Sequence, residues 1–294
     1  MLRWRLLLGA LLIGALIGLL WLDYHASPPA MALFVLVLVF GLAAAQEVVS
    51  LLATGGYRPH PGAIYAGTLL VIASNAIPLF LLSVPDDRPL ERLAWPLLAF
   101  TIFGVLGPLV VEMIRYRQPG GVMVNVALAT FGIAYVGLLF SFSLHLRVLG
   151  GPRAGMVALA ALVIVVKMGD TGAYTVGRLI GRHKMAPLIS PGKTMEGAGG
   201  AVLFSCLGAW FAFTWLPVWM DADIAQRSWS WLLFGLLVGL AGLAGDLAES
   251  LFKRDVGSKD SSSWLPGFGG VLDIVDSLLF AAPVAFLCWW LGMV

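Results

Sequence analysis

The sequence is poor in charged residues and in cysteine. Only 12% of its 294 residues are Asp, Glu, Lys or Arg, whereas about 25% are charged in a soluble domain. This shortage excludes an ordinary globular protein with a water-facing surface. Cys206 and Cys288 both lie in apolar runs, so they predict neither a disulfide framework nor a metal site. The net charge of +2 is too small to indicate nucleic-acid binding.

Apolar residues make up 60% of the chain. Runs of about 20 residues, enough for a helix to cross about 30 Å of hydrocarbon, recur from end to end. We therefore predict an all-α, polytopic integral membrane protein with about nine transmembrane helices. The first apolar run lacks a convincing cleavage site and is interpreted as a retained helix. The predicted spans are 6–22, 31–53, 63–84, 93–111, 122–144, 154–169, 198–217, 231–249 and 271–292.

Basic residues in short loops favour the cytoplasm and so indicate the orientation of the chain. With the N-terminus inside, cytoplasmic segments hold twelve Lys and Arg residues and the opposite face holds five. This bias predicts a cytoplasmic N-terminus and two long cytoplasmic loops, 170–197 and 250–270. We predict an N-terminal region, 1–153, of about five helices for lipid access or dimer contacts. The catalytic region is predicted at 154–294.

Charge is concentrated in residues 250–276, SLFKRDVGSKDSSSWLPGFGGVLDIVD. Asp246 and Lys253 lie on one predicted polar stripe of the preceding helix, and Asp273 and Asp276 lie on nearly one face of the next. Acids at membrane depth are unfavourable unless they face a cavity, a counter-charge or a metal. We predict that Asp246, Asp273 and Asp276 bind Mg²⁺ or Mn²⁺, alone or with a second cation, because Mg²⁺ takes carboxylates together with substrate oxygens.

Bases and glycines accompany these acids. Lys253, Arg254 and Lys259 are predicted to bind phosphates, and Asp260 to act as a further ligand or orienting group. The alternative for the bases is a juxtamembrane loop with structural salt bridges that obeys the positive-inside rule. Glu47 lies deep in the second span, where it could point toward the active-site cavity.

A second polar segment, GDTGAYTVGRLIGRHKMAPLISPGKTMEGAGG, covers 169–200. It lacks the two-glycine spacing of a P-loop. Its hydroxyls and lysine precede a predicted helix, however, and a helix N-terminus favours phosphate binding. Helix capping by Thr194 and Glu196 is the alternative interpretation, and Arg178 and Arg182 are equally suited to face lipid headgroups. The predicted nucleotide-binding residues are Asp170, Arg178, Arg182, Ser190, Lys193 and Thr194.

The segment 250–276 resembles the signature of the phosphatidate cytidylyltransferases, also called CDP-diacylglycerol synthases. GDTGAY and SPGKTMEG resemble another cytoplasmic loop of that family, so the resemblance covers most of 169–280. Phe268 and Ile274 depart from it, since the family usually has His and Arg there. The matched positions are Ser250, Lys253, Arg254, Lys259, Asp260, Ser262, Leu265, Pro266, Gly269, Gly270, Asp273 and Asp276.

The resemblance implies a metal-dependent nucleotidyltransferase that converts CTP and phosphatidic acid to CDP-diacylglycerol and diphosphate. It implies CTP, phosphatidic acid and membrane lipids as partners, no nucleic acid, a homodimer, and a place in the bacterial cytoplasmic (inner) membrane. A CTP-dependent lipid kinase of the dolichol or phytol type is the nearest alternative. A transporter is a further one, and the lack of an internal repeat argues against it.

Overall fold

The computed structural model describes residues 2–82, 84–85, 88–224, 229–262 and 269–293. Its regular structure is almost entirely helical. The helices are Leu2–His25 (α1), Met31–Thr54 (α2), Pro61–Ser74 (α3), Pro89–Ala99 (α4), Gly107–Arg115 (α5), Val122–Ile133 (α6), Leu139–Val148 (α7), Pro152–Ile180 (α8), Met195–Trp219 (α9), Ser230–Asp255 (α10) and Val271–Trp290 (α11). Short π-helical segments, Ile77–Leu81, Phe100–Leu106 and Ala134–Leu138, follow α3, α4 and α6.

Eight helical segments of the described chain are long and apolar enough to cross a membrane. Because they correspond to the second through ninth predicted spans, the prediction of an all-α polytopic membrane protein is confirmed. The first predicted span falls on α1, which lies outside these eight. The eight segments are Met31–Thr54, Pro61–Leu81, Pro89–Arg115, Val122–Val148, Pro152–Ile180, Met195–Trp219, Ser230–Asp255 and Val271–Trp290.

The helices before the two polar loops, α8 and α10, extend well beyond their predicted C-terminal ends, so those loops are shorter. Helix α8 continues to Ile180 instead of ending at 169, and α10 continues to Asp255 instead of 249. Hydropathy marks where apolar residues stop, but backbone hydrogen bonding carries a helix further when no proline interrupts it. Asp170 therefore lies within α8 and not at the start of a loop, and Lys253 and Arg254 lie on α10.

A β-hairpin that the sequence analysis did not predict joins α8 to α9. Its strands, Lys184–Ala186 (β1) and Ser190–Thr194 (β2), are antiparallel, with Lys184 opposite Thr194 and Ala186 opposite Ser190. The second strand ends at the residue that caps α9. The hairpin thus holds the polar residues 190–194 at the N-terminus of a span.

One compact unit comprises Met1–Leu144 with Asp255–Ile274. Within it α3 packs closely on the end of α6, where a Cβ on Gly67 would lie 2.4 Å from the Ile133 side chain. Asn75 Nδ2 donates to Ser141 Oγ at 2.9 Å, a buried hydrogen bond between residues 66 apart in sequence. Close helix contact through small and polar residues is typical of membrane bundles.

The other compact unit comprises His145–Arg254 with Val275–Val294. Its helices α8 and α9 approach each other at glycines, since a Cβ on Gly172 would lie 2.5 Å from the Gly200 carbonyl oxygen. Ser205 Oγ on α9 donates to the Val165 carbonyl at 3.2 Å. The close approach at the glycines and this hydrogen bond fix the positions of the two helices that flank the hairpin. The predicted functional division at residue 153 stays a prediction.

Candidate active site

The hairpin contributes a lysine to the polar stripe of α10. Lys193 Nζ lies 2.7 Å from Asp246 Oδ2, and both side chains are partly accessible. This distance makes the contact a close ion pair. A residue predicted to bind nucleotide therefore contacts one predicted to bind metal.

A second carboxylate of the same unit, Asp276, lies near Asp246. Asp276 is 5% exposed, and its Oδ1 accepts hydrogen bonds from the Ser277 backbone N–H at 2.5 Å and hydroxyl at 3.1 Å. Asp246 and Lys167 lie close enough for their charges to act on it. Helices α10 and α11 are in backbone contact here, because a Cβ on Gly245 would lie 2.7 Å from the Asp276 carbonyl oxygen.

The Asp246 and Asp276 carboxylates fit the donor set of a hard divalent cation. Two carboxylates near each other, one of them buried and the other partly accessible, favour a cation between them. In the described part of the chain, no group of three or more His, Cys, Asp or Glu side chains is arranged to hold a metal. Mg²⁺ does not need such a cage, since it is commonly bound by one or two carboxylates plus water and substrate phosphates.

Lys253, predicted to bind phosphate, is engaged on its own helix. Its Nζ lies 2.5 Å from Glu249 Oε2, and the two side chains are 10% and 1% exposed. An acid four residues before a base is the favourable order for a helical ion pair. Lys253 therefore has a structural partner in addition to its predicted role.

Arg254 links the end of α10 to the hairpin. Its Nε donates to the Ile189 carbonyl oxygen at 3.2 Å, and Ile189 lies in the turn between β1 and β2. Ser190, which starts β2, is half-buried. The hairpin is thus held to α10 at two points, through Arg254 and through Lys193.

Thr194 caps helix α9. Its Oγ1 accepts a hydrogen bond from the Gly197 backbone N–H at 3.1 Å, as the capping alternative predicts. Gly177 of α8 and Gly181, which follows that helix, make room for this side chain, because Cβ atoms on them would lie 3.1 Å and 2.7 Å from Thr194 Oγ1. Helix packing thus accounts for the spacing of these glycines.

Glu196 fastens the end of α8 to the start of α9. Its carboxylate accepts hydrogen bonds from the backbone N–H groups of Arg182 at 3.1 Å and His183 at 3.2 Å, and it contacts His183 Nδ1 at 2.6 Å. These contacts give Glu196 a structural role in orienting the hairpin.

The other predicted nucleotide-binding residues are Asp170 and Arg178 on α8 and Arg182, which lies just after that helix. Asp170 pairs with Lys167 at 3.1 Å. Arg178 donates to the Tyr174 hydroxyl at 2.6 Å and lies over its ring, with 5.8 Å between the guanidinium carbon and the centroid. Arg178 and Arg182 are both exposed. None of these contacts distinguishes nucleotide binding from an interaction with headgroups.

Glu47 lies at the centre of the polar contacts in the first compact unit. It is 5% exposed in α2. Its carboxylate accepts hydrogen bonds from the backbone N–H groups of Val271 and Leu272, both at 2.8 Å. It also accepts from the hydroxyls of Ser261 at 2.9 Å and Ser262 at 3.1 Å. The acid of α2 therefore binds the segment that carries the family signature.

Asp273 supports the same segment from within α11. Its Oδ2 accepts hydrogen bonds from the Gly270 N–H at 2.7 Å and from the Ser261 N–H at 3.2 Å. It also lies 2.5 Å from the Ser261 hydroxyl, whose single hydrogen is shared between Asp273 and Glu47. An acid at the third helical position that binds the N-cap N–H is half of a capping box. The assignment of Asp273 as a metal ligand stays a prediction.

The remaining signature residues are accessible or fall outside the described residues. Lys259 and Asp260 are exposed, and Ser258 Oγ donates to the Asp260 carbonyl at 2.9 Å. Ile274 lies in the first turns of α11. Outside the described residues lie the matched positions Leu265 and Pro266 and the departure at Phe268.

The sequence identified Glu47 as an unusual acid within a span, but it did not predict the groups that donate hydrogen bonds to its carboxylate. It gave no role to Ser261, which contacts both Glu47 and Asp273. The available signal was the run of three serines at 261–263, because serine hydroxyls are hydrogen-bond donors of the kind that a buried acid such as Glu47 requires. Nothing in the local pattern connected these serines to a helix more than 200 residues earlier.

Comparison with known proteins gives a consistent result. A family model described as the cytidylyltransferase family matches residues 3–291. The chain is 39% identical over 160 residues to a phosphatidate cytidylyltransferase of Staphylococcus epidermidis and 37% identical over 162 residues to one of Staphylococcus aureus. Each match covers 54% of this chain and 57% of the relative. The chain thus aligns with little more than half the length of these curated relatives.

Proposed function

The chain belongs to the cytidylyltransferase family, and we propose that it is a phosphatidate cytidylyltransferase of phospholipid biosynthesis. It would transfer CMP from CTP to phosphatidic acid, giving CDP-diacylglycerol and diphosphate. The similarity to Staphylococcus proteins of that name supports the choice of substrates.

The observation that carries the proposal is the ion pair between Lys193 and Asp246, with Asp276 close by. Transfer of a nucleotidyl group between two polyanions requires cationic groups for the phosphates and carboxylates for a metal. These residue types occur together at the hairpin and the facing turns of α10 and α11.

The reaction needs alignment and charge neutralisation more than proton transfer. A phosphate oxygen of phosphatidic acid forms a bond to the α-phosphorus of CTP, and the bond from that phosphorus to the bridging oxygen of the β-phosphate breaks. The electron pair leaves with diphosphate. The attacking phosphate is already an anion, so no general base is required. The replacement of the family histidine by Phe268 is compatible with this chemistry.

The side chains would bind and orient the substrates. Lys193 and Ser190 would hold the nucleotide phosphates from the hairpin, and Arg254 would act beside them at the end of α10. The Thr194 hydroxyl would add a donor while its oxygen caps α9. The further proposed phosphate-binding and orienting residues are Lys253, Lys259, Asp260, Asp170, Arg178 and Arg182.

We propose Mg²⁺ or Mn²⁺, alone or with a second cation, as the cofactor. A bound divalent ion would neutralise charge on the α-phosphate and on the leaving diphosphate. Asp246 and Asp276 would hold it, and Asp273 remains a proposed ligand from its helical spacing. Lys193, which contacts Asp246, would balance the charge of the carboxylates.

The eight candidate spans support an integral membrane protein, and the cellular setting is part of the proposal. We propose the bacterial cytoplasmic membrane, with the N-terminus and the hairpin in the cytoplasm, where CTP is found. Phosphatidic acid would come from the same membrane, and the protein would act as a homodimer.

Labelled CTP tests the reaction directly. Purified protein in lipid–detergent micelles is incubated with phosphatidic acid, Mg²⁺ and CTP labelled at the α- or the γ-phosphate. We expect α-label in the lipid fraction and γ-label in diphosphate. Transfer of γ-label to lipid would instead identify a CTP-dependent lipid kinase and overturn the proposal, as would a lack of label transfer by well-folded protein.

A further inference from the structure

The carboxylate of Glu47, a buried acid of α2, accepts hydrogen bonds from the signature segment, 250–276. Its carboxylate has four donors, two backbone N–H groups and two hydroxyls, all between Ser261 and Leu272. A carboxylate in an apolar span is unfavourable unless it is compensated in this way. The compensation therefore ties α2 to a segment distant in sequence.

Two of the donors are the first N–H groups of α11. The first four N–H groups of a helix have no partner within the helix, and the positive end of the helix dipole attracts an anion. Glu47 accepts from the Val271 and Leu272 N–H groups at 2.8 Å each. It therefore acts as an N-terminal cap that another helix supplies.

The other two donors belong to Ser261 and Ser262, which precede α11 in the sequence. Ser261 and Ser262 contact separate oxygens of the carboxylate, Oε2 and Oε1. One side chain thus holds both ends of the segment 261–272. Asp273 reinforces this closure, because its Oδ2 accepts from the backbone N–H groups of both Ser261 and Gly270.

The closure explains a glycine of the signature. A Cβ on Gly270 would lie 2.2 Å from Glu47 Oε2 and 2.3 Å from Ser261 Oγ. Contacts this short would force the carboxylate or the loop to move. Glycine at 270 is therefore required by the approach of Glu47 to the backbone.

From this geometry we infer that Glu47 is a positioning residue for CMP transfer: its carboxylate clamps Ser261 and Ser262, which directly follow Lys259 and Asp260 in the chain, to the start of α11. The effect on turnover rests on the proposed function, whereas the clamp itself is a property of the folded chain. Reactions between aligned polyanions are sensitive to small displacements of the groups that hold them.

The test compares Glu47→Gln with Glu112→Gln in the full-length protein. Glu112 is a partly buried acid of α5 whose described contacts are to Asn125 at 3.5 Å, so its variant removes a span carboxylate without touching the loop. In Glu47→Gln one acceptor oxygen is replaced by an amide group that cannot accept from these donors. Hydrogen exchange of the segment 269–273 is measured without substrates, and kcat and KM for CTP are measured with phosphatidic acid.

We expect Glu47→Gln to exchange faster at 269–273 and to lower kcat about 10- to 100-fold, a range typical of supporting residues around an active site. KM for CTP should change much less than kcat. Glu112→Gln should match the wild type in both measurements. A kcat within twofold of the wild type, or unchanged exchange at 269–273, would overturn the inference.

A folding failure of Glu47→Gln would not leave the question open. The double variant Ser261→Ala with Ser262→Ala keeps Glu47 and the backbone donors but removes both hydroxyls, and it is judged by the same two measurements. Should the wild type fail to transfer CMP, the proposed function falls, and the exchange measurement still decides whether Glu47 clamps the loop.

Discussion

Lys193 of the hairpin and Asp246 of α10 form an ion pair, with 2.7 Å between Nζ and Oδ2. The two partners respond in opposite ways to the proposed ligands, because a phosphate attracts the ammonium and a metal ion attracts the carboxylate. We therefore expect the pair to couple the position of the hairpin to the occupancy of the proposed carboxylate site.

Removal of the lysine charge tests its contact with CTP. We expect Lys193→Met to lower kcat/KM for CTP about 10²-fold, since this is a typical loss for one donor that stabilises a transition state. Lys184→Met is the matched control, because Lys184 is an exposed lysine of the same hairpin. Initial rates over a range of CTP concentrations measure both variants. Equal kcat/KM values for the two would contradict the assignment of Lys193.

Neutralisation of the buried acid tests the metal site. We expect Asp276→Asn to lower kcat at least about 10²-fold and to raise the Mg²⁺ concentration needed for half-maximal rate, because a neutral amide binds Mg²⁺ weakly. Asp255→Asn, at the exposed end of α10, should behave like the wild type. Mg²⁺ titrations after treatment with a chelator measure the effect. Full activity of the chelated wild type would rule out a divalent-metal mechanism.

The Glu249–Lys253 pair allows structural and substrate roles of Lys253 to be separated. Lys253→Met leaves a buried carboxylate without this partner and should lower the free energy of unfolding by about 3–5 kcal/mol. The double variant Glu249→Gln with Lys253→Met should recover most of that stability. If Lys253 binds phosphate, the double variant stays inactive although it is folded. Thermal unfolding and CTP turnover are compared, and restored turnover would show that Lys253 is structural.

Thr194 has a defined effect on stability through its helix cap. Thr194→Val removes the oxygen that accepts from Gly197 and should lower the free energy of unfolding by about 1 kcal/mol. Thr194→Ser keeps that oxygen and should be close to the wild type. Thermal unfolding of the two variants checks the cap. A Thr194→Val protein as stable as Thr194→Ser would contradict it.

The sequence predicted the spans well because lipid imposes long apolar helices. For the second through ninth spans, the majority of the predicted ends lie within a few residues of the observed helix ends. It predicted the end of α8 poorly, because Asp170 and the polar residues after it remain helical beyond the apolar run. The hairpin was missed because its strands are short and Ser190–Thr194 contains Pro191 and Gly192, which do not favour a strand.

The candidate site was predictable where helical spacing decides it, as for the stripe that includes Asp246 and Lys253. Contacts between distant parts of the chain were not predictable in that way. The contact of Glu47 with Leu272 joins residues 225 apart in sequence, and that of Lys193 with Asp246 depends on an unpredicted hairpin. Local patterns identify which residues require partners, but tertiary packing selects the partners.

The N-terminus of α11 already holds an anion that belongs to the chain. An open helix end attracts phosphate groups, but here the Glu47 carboxylate accepts from the Val271 and Leu272 N–H groups. We expect the phosphates of CTP to bind elsewhere, in part at exposed basic side chains such as Arg254 and Lys259, whose attraction for phosphate is screened by salt. The affinity for CTP should therefore weaken as ionic strength rises, whereas the internal contact between Glu47 and α11, shielded from solvent, should not.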